Sequence, residues 1–75
     1  MKAKEMLEKL DYHLILENSY VIAYEKNTDY SLITLRFLIK DKQFIKEDEL
    51  GLAKFISLDE LQAINQQMKE IGDGE

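Results

Sequence analysis

The segment from Tyr30 to Lys40 constrains the fold more than any other part of the chain. Its apolar residues Ile33, Leu35, Phe37 and Ile39 fall at every second position, the period of a β-strand that buries one face. Leu32, Thr34, Arg36 and Leu38 alternate with them on the opposite face. The pattern predicts a strand whose apolar side belongs to the core, with a second side that is only partly polar.

Three further segments are rich in β-forming residues and are bounded by polar turns. They are residues 12–17, 20–25 and 43–46. Asn18-Ser19 and residues 40–42 are turn signals, and the shortness of these turns favours antiparallel pairing of consecutive strands. Residues 47–54, which begin with an acidic run, are predicted to form the longest loop.

Helical periodicity marks both ends of the chain. A short amphipathic helix is predicted over residues 3–10. Near the other end, Ser57 and Glu60 have the spacing of a capping box, in which each side chain accepts the other residue's backbone N–H. The apolar stripe predicted behind this cap contains Leu58, Leu61, Ile64, Met68 and Ile71. Gly72 is predicted to end the helix in a left-handed conformation.

Together these elements predict an α+β fold. A short N-terminal helix precedes a three- to four-stranded antiparallel meander, and a C-terminal amphipathic helix packs on the sheet. Residues 1–72 are expected to form a single domain and residues 73–75 a disordered tail. A chain of 75 residues without cysteine has one small core and no disulfide to support it.

The charge of the chain is unevenly distributed. The formal net charge is −5, and residues 47–75 hold eight of the fifteen acidic groups but only two of the ten basic ones. Direct binding of nucleic acid is not expected, because phosphate recognition needs clustered cations. No apolar run is long enough for a signal peptide or a membrane span, so a soluble protein of the host cytoplasm is expected.

No residue pattern in the chain predicts an enzyme, a cofactor or a metal site. His13 is the single histidine, and without cysteine it does not make a zinc site. The serines lack a neighbouring base, and Ser57 is explained by helix capping. The run Glu47-Asp48-Glu49 lacks the alternating ligands and the central glycine of a calcium loop.

Several segments resemble small uncharacterised proteins that are common in phages and integrated elements of Gram-positive bacteria. Residues 6–12, "MLEKLDY", resemble the opening "LFEELGY" of these proteins, and residues 39–44 resemble one of their strands. Residues 56–72, "ISLDELQAINQQMKEIG", resemble their closing "ITMEELQAINKQIEELGW" helix. Asp11 stands where these proteins have glycine, and Asp73 where they have tryptophan. The resemblance implies a small accessory protein of a mobile element and implies no activity.

The sequence leaves three hypotheses about function. The first is a non-catalytic protein-interaction module that binds an unidentified protein through Gln62, Asn65, Gln66 and Lys69. The alternative is an acidic nucleic-acid mimic that inhibits a host defence or transcription protein. Its acidic surface would comprise Glu47, Asp48, Glu49, Asp59, Glu60 and Glu70. The third, compatible with either, is a homodimer that buries Leu32 and Leu38.

Overall fold

The computed structural model describes residues 1–49 and 55–73 and arranges them as two helices on one face of a four-stranded sheet. The elements are α1 (Ala3–Lys9), β1 (His13–Glu17), β2 (Val21–Asn27), β3 (Leu32–Leu38), β4 (Gln43–Asp48) and α2 (Leu58–Asp73). The strands pair antiparallel in the order β1-β2-β3-β4. The predicted α+β meander with a terminal helix packed on it is confirmed.

The core lies between β3 and the two helices. Leu35 and Phe37 of β3 are fully buried, and the ring of Tyr24 from β2 meets Phe37 edge-on at 6.1 Å between centroids. Ala63 and Ile64 of α2 close this core from above. The period-two prediction for the buried face of β3 is therefore confirmed.

Most of the predicted strand ends shift by one or two residues, and two of these differences have a visible cause. Glu47 and Asp48 were predicted in the loop, but they extend β4, because their backbones continue the ladder opposite β3. The β1–β2 loop has three residues, 18–20, because the Asn18 side chain accepts the N–H groups of Tyr20 and Val21. Residues 50–54 of the predicted loop lie outside the described residues.

β1 contains a bulge at Ile15. Leu14 pairs with Tyr24, and Leu16 pairs with Ala23, the adjacent residue of β2. Ile15 is therefore an extra residue of β1 that has no partner residue in β2. The side chains of Ile15 and Leu16 are both about half exposed. A bulge on an edge strand interrupts the regular row of backbone groups that another chain would pair with.

α2 buries only part of the predicted stripe: Ile64, Met68 and Ile71 pack on the core as predicted, but the first two leucines do not. Leu58 and Leu61 are 69% and 41% exposed, whereas Glu60 and Gln67 are buried beside Ala63, Ile64 and Ile71. The prediction that Leu58 and Leu61 belong to the core stripe is wrong, because the two polar side chains have hydrogen-bond partners beneath the helix. Hydrophobic periodicity does not detect such partners.

The C-terminal end of α2 also differs from its prediction. The helix continues through Asp73, so Gly72 lies inside it and does not act as a left-handed stop. Asp73, predicted in the tail, is helical, and residues 74–75 lie outside the described residues. A left-handed residue does end α1: Asp11 has φ 70°, a conformation that favours glycine.

The predicted capping box is confirmed, and its loss should have a modest cost. The Glu60 N–H donates to Ser57 Oγ at 3.1 Å, and the Ser57 N–H donates to Glu60 Oε1 at 3.4 Å. Ser57→Ala is expected to lower the free energy of unfolding by about 1 kcal/mol, measured by urea denaturation. The matched change Ser19→Ala, in the exposed β1–β2 loop, should stay within about 0.5 kcal/mol. Equal effects of the two substitutions would show that the cap adds no stability.

Candidate interaction surfaces

A buried polar cluster fixes α2 to the rest of the fold. Glu60 Oε2 accepts hydrogen bonds from the Tyr12 hydroxyl and from Lys46 Nζ, both at 2.8 Å. Lys46 Nζ also donates to the carbonyl oxygen of Phe55 at 2.6 Å. The side chains of Lys46 and Glu60 are only 9% and 12% exposed. The cluster therefore joins β4, α2 and the segment after α1 through a single carboxylate.

The ionisation states of the cluster follow from its contacts. Burial raises the pKa of Glu60, but hydrogen bonds from Lys46 and Tyr12 and the charge of Lys46 outweigh burial and hold it below the ordinary 4.5. The pKa of Tyr12 is raised far above the ordinary 10 by the burial of its hydroxyl, by the hydrogen bond to Glu60 and by the negative charge of Glu60. At neutral pH Glu60 is thus charged and Tyr12 keeps the proton that it donates.

A second buried hydrogen bond lies further along α2. The Tyr24 hydroxyl donates to Gln67 Oε1 at 3.0 Å, and burial followed by the charges of nearby carboxylates raises the pKa of Tyr24 to about 12. This contact explains why an amide side chain lies on the buried side of α2. Both clusters hold helix and sheet together.

The carboxylates predicted to form one acidic surface do not lie together. Glu60 is buried and paired with Lys46, so its predicted surface position is wrong. Glu70 Oε2 accepts the N–H of Ala3 at 2.8 Å, and Glu47 pairs with Arg36 on the sheet. Of the others, Asp59 and Glu49 are exposed on different elements and Asp48 is half-buried at the end of β4.

Three of the four predicted contact residues on α2 are exposed. Gln62, Asn65 and Lys69 face solvent, whereas Gln66 is half-buried and donates to Glu70 at 2.9 Å. Gln62, Asn65 and Lys69 share one side of the helix with the exposed leucines, at spacings of three and four residues. We call this row the helix stripe, and it consists of Leu58, Leu61, Gln62, Asn65 and Lys69.

A groove of about 360 Å³ runs beside the helix stripe, between α1 and α2. The two helices are antiparallel, because the start of α1 contacts Glu70 near the end of α2, whereas residues from the end of α1 line the groove with residues from the start of α2. The lining residues are Met1, Met6, Lys9, Leu10, Asp59 and Gln62. The sequence did not reveal this groove, because its position depends on how α2 is rotated over the sheet.

The side of the sheet that faces away from the helices forms another surface, which we call the outer face. Its central row across the four strands is Leu16, Ala23, Arg36 and Ile45. The neighbouring row pairs Val21 with Leu38, which adds apolar area. No described helix covers this face, since both helices pack on the opposite side.

Polar residues occupy the other half of the outer face. The row beyond Arg36 is His13, Glu25, Thr34 and Glu47. Leu32, one of the two leucines of the predicted homodimer, pairs with Asn27 at the far end of β3. Leu38 therefore belongs to the apolar half, whereas Leu32 lies at the margin of the face.

The single histidine, the acidic side chains and the two helices bear on metal binding and membrane spanning. His13 is exposed at the start of the edge strand β1. Residues 1–49 and 55–73 hold no group of three or more histidine, aspartate or glutamate side chains suited to a metal ion. Neither α1 nor α2 is both long and apolar enough to cross a membrane.

Comparison of the chain with family models, with curated proteins and with solved structures found no match. The resemblance to small phage and prophage proteins therefore stays a prediction. The surfaces that could bind a partner are the helix stripe, the groove between α1 and α2, and the outer face of the sheet.

Proposed function

We propose that the protein is a non-catalytic protein-interaction module whose helix layer binds an amphipathic helix of another protein. The observations that carry this proposal are the groove between α1 and α2 and the exposed leucines of the helix stripe, which shares Gln62 with the lining of the groove. Amphipathic helices bind proteins by laying their apolar side into grooves of this kind. Leu58 and Leu61 would then be buried by the partner rather than by the protein's own core.

The apolar side chains of the groove suit a helical ligand. Met6 and Leu10 are half-buried against the core, and Met1 is 66% exposed above them. Methionine side chains are flexible and polarisable, so they adapt to the shape of an incoming apolar side chain. Exposed apolar residues grouped beside a groove are typical of a binding surface.

Charged and amide side chains at the groove would orient the ligand. Lys9 on α1 and Asp59 on α2 line the groove on opposite sides and carry opposite charges. A bound helix with an acidic residue on the α1 side and a basic residue on the α2 side would complement both. Gln62 and Asn65 would add donors and acceptors along the helix stripe.

The biological role that we propose is that of an accessory protein of a phage or mobile element, acting in the host cytoplasm. The resemblance of residues 56–72 to the closing helix of such proteins supports it. A non-catalytic role is supported by Tyr12, Lys46 and Glu60, whose reactive groups bind one another beneath α2. The acidic mimic receives less support, because Glu47, Glu60 and Glu70 are engaged within the chain.

Capture from a Gram-positive bacterial lysate tests the helix layer when paired with surface variants. We expect a protein held by the tagged wild-type chain to be held equally by Tyr30→Lys, a change at a 95% exposed residue of the β2–β3 turn. Leu61→Lys should reduce capture by on the order of 10-fold or more, because it places a charge in a buried apolar contact. Equal capture by Leu61→Lys and wild type would overturn the proposal.

Cross-linking through lysines locates the partner directly. An amine-reactive reagent should join the captured protein to Lys9 and Lys69, which flank the proposed surface, and the joined segment of the partner should be an amphipathic helix. Links confined to Lys40, in the turn between β3 and β4, would contradict this placement. A partner that is retained by Leu61→Lys but lost at high salt would favour the acidic mimic instead.

A further inference from the structure

We infer that the outer face of the sheet is the interface of a homodimer in which two copies pack face to face about a two-fold axis that runs close to the strand direction. The inference goes beyond binding by the helix layer, because it uses the opposite side of the molecule. The register of the sheet carries it. A surface that meets its own copy across a two-fold axis must be complementary to itself.

An axis between β2 and β3 satisfies this condition for the apolar half of the face. It places β1 over the partner's β4 and β2 over the partner's β3, with each row of side chains over the same row. Leu16 then lies opposite the partner's Ile45, and Val21 opposite the partner's Leu38. All four side chains are exposed or half-buried in the single copy, so their contact removes apolar area from water.

The centre of the face has a small side chain flanked by larger ones. Ala23 is only 3% exposed although it is on the outer face, since larger neighbours on both adjacent strands surround its methyl group. The same axis places the partner's Arg36 opposite Ala23. Packed sheets cross at about 30°, so the match of rows is closest at this central position.

Charges on the face match in the same arrangement. Glu25 is the next outer residue along β2 from Ala23, so an Arg36 side chain seated over the partner's Ala23 lies beside the partner's Glu25. Arg36 already binds Glu47 of its own chain, and a guanidinium has donors for a second carboxylate. The polar half then pairs His13 with the partner's Glu47, which brings a hydrogen-bond donor to an acceptor.

The size of the face fits a small specific dimer. Four strands spaced about 4.8 Å apart and side-chain rows about 6.8 Å apart give it a flat extent of about 19 by 20 Å. The flat area is therefore about 400 Å². Because side chains project from the sheet, the accessible area is larger than this, towards the roughly 600 Å² that each partner buries in the smaller specific interfaces. The bulge in β1 disfavours the competing edge-to-edge pairing.

Sedimentation of the full chain over a hundredfold concentration range tests the inference. With rising concentration, the sedimenting mass of the wild type should increase from that of one chain to that of two. Leu61→Lys, on the helix layer, should behave in the same way. Arg36→Glu should weaken association by on the order of 100-fold, because the new carboxylate lies beside the partner's Glu25. Glu25→Arg should weaken it similarly. A wild-type chain that keeps the monomer mass throughout would overturn the inference.

Mixing the two charge variants separates an effect between copies from an effect within one chain. Within one chain of either variant, residues 25 and 36 carry the same charge: both are glutamate in Arg36→Glu and both are arginine in Glu25→Arg. Mixing the variants does not change this. Across the proposed interface the mixture restores both opposite-charge pairs, so a heterodimer should form at concentrations where each variant alone is monomeric. A mixture that stays monomeric while the wild type dimerises would show that the two copies meet in another way.

Discussion

Replacing Glu60 by alanine is expected to lower the free energy of unfolding by about 3 to 5 kcal/mol. The substitution leaves the charge of Lys46 buried without its carboxylate and removes the acceptor of the Tyr12 hydroxyl. It also removes the capping contact to the Ser57 N–H. For a domain of this size such a loss is comparable to the whole stability, so the variant should be largely unfolded in circular dichroism at 37 °C.

Two further variants isolate the cause of this loss. Asp59→Ala removes the neighbouring exposed carboxylate and should change the free energy of unfolding by no more than about 0.5 kcal/mol. The triple variant Tyr12→Phe, Lys46→Met, Glu60→Leu replaces the whole cluster with apolar groups and should be close to the wild type in stability. A Glu60→Ala protein as stable as Asp59→Ala would refute a stabilising role for the cluster.

The same cluster predicts a dependence of stability on pH. The pKa of Glu60 is lower in the folded than in the unfolded chain, so folding favours its charged form. Its contribution is therefore complete above about pH 4.5, the ordinary pKa, and is lost as the pH falls through the lower folded pKa. The triple variant should lack this part of the acid sensitivity in denaturation measured from pH 7 downward.

Phe37→Ala is expected to cost about 3 to 5 kcal/mol of unfolding free energy because it leaves a cavity in the core. Phe37 is fully buried, and its ring contacts the rings of Tyr24 and Phe44 at centroid distances of 6.1 and 6.5 Å. Its strand, β3, has neighbours on both sides, which limits how far the surroundings can collapse into the space. Thermal and urea denaturation should both show the loss.

Phe55 provides a matched control of the same residue type. Its side chain is 85% exposed, so Phe55→Ala removes little buried area and should change the stability by no more than about 0.5 kcal/mol. Phe37→Leu should fall between the two, because leucine fills part of the cavity. If Phe37→Ala and Phe55→Ala had equal effects, the assigned core would be wrong.

The two proposed interaction surfaces lie on opposite sides of a two-layer molecule. A dimer formed through the sheets would therefore present two helix layers outward, each with its own groove. A ligand that carries two copies of the recognised helix would bind such a dimer more tightly than it binds the monomeric Arg36→Glu variant. The reason is that binding of its first helix raises the effective concentration of the second. Arg36→Glu should remove this gain while leaving the binding of one helix unchanged.

Local patterns determined much of the fold from the sequence alone. The alternation from Ile33 to Phe37 identified the buried face of β3, because side chains of a strand point to opposite faces in turn. Ser57 and Glu60 marked the start of α2, because a capping box is formed by residues three apart in the chain. Short polar turns led to the antiparallel meander, since sequential strands joined by such turns pair with each other.

Contacts between residues far apart in the chain were decided only by the tertiary structure. The sequence predicts Glu60 at the surface because its side chain is charged. Only the folded chain places Tyr12 and Lys46 within hydrogen-bond distance of it. With Glu60 on its buried side, α2 leaves Leu58 exposed and places Asp59 and Gln62 on the groove. Likewise, the register across four strands decides which side chains share the outer face. Helical and strand periods describe single elements, whereas the relation between elements depends on the partners that each buried polar group finds.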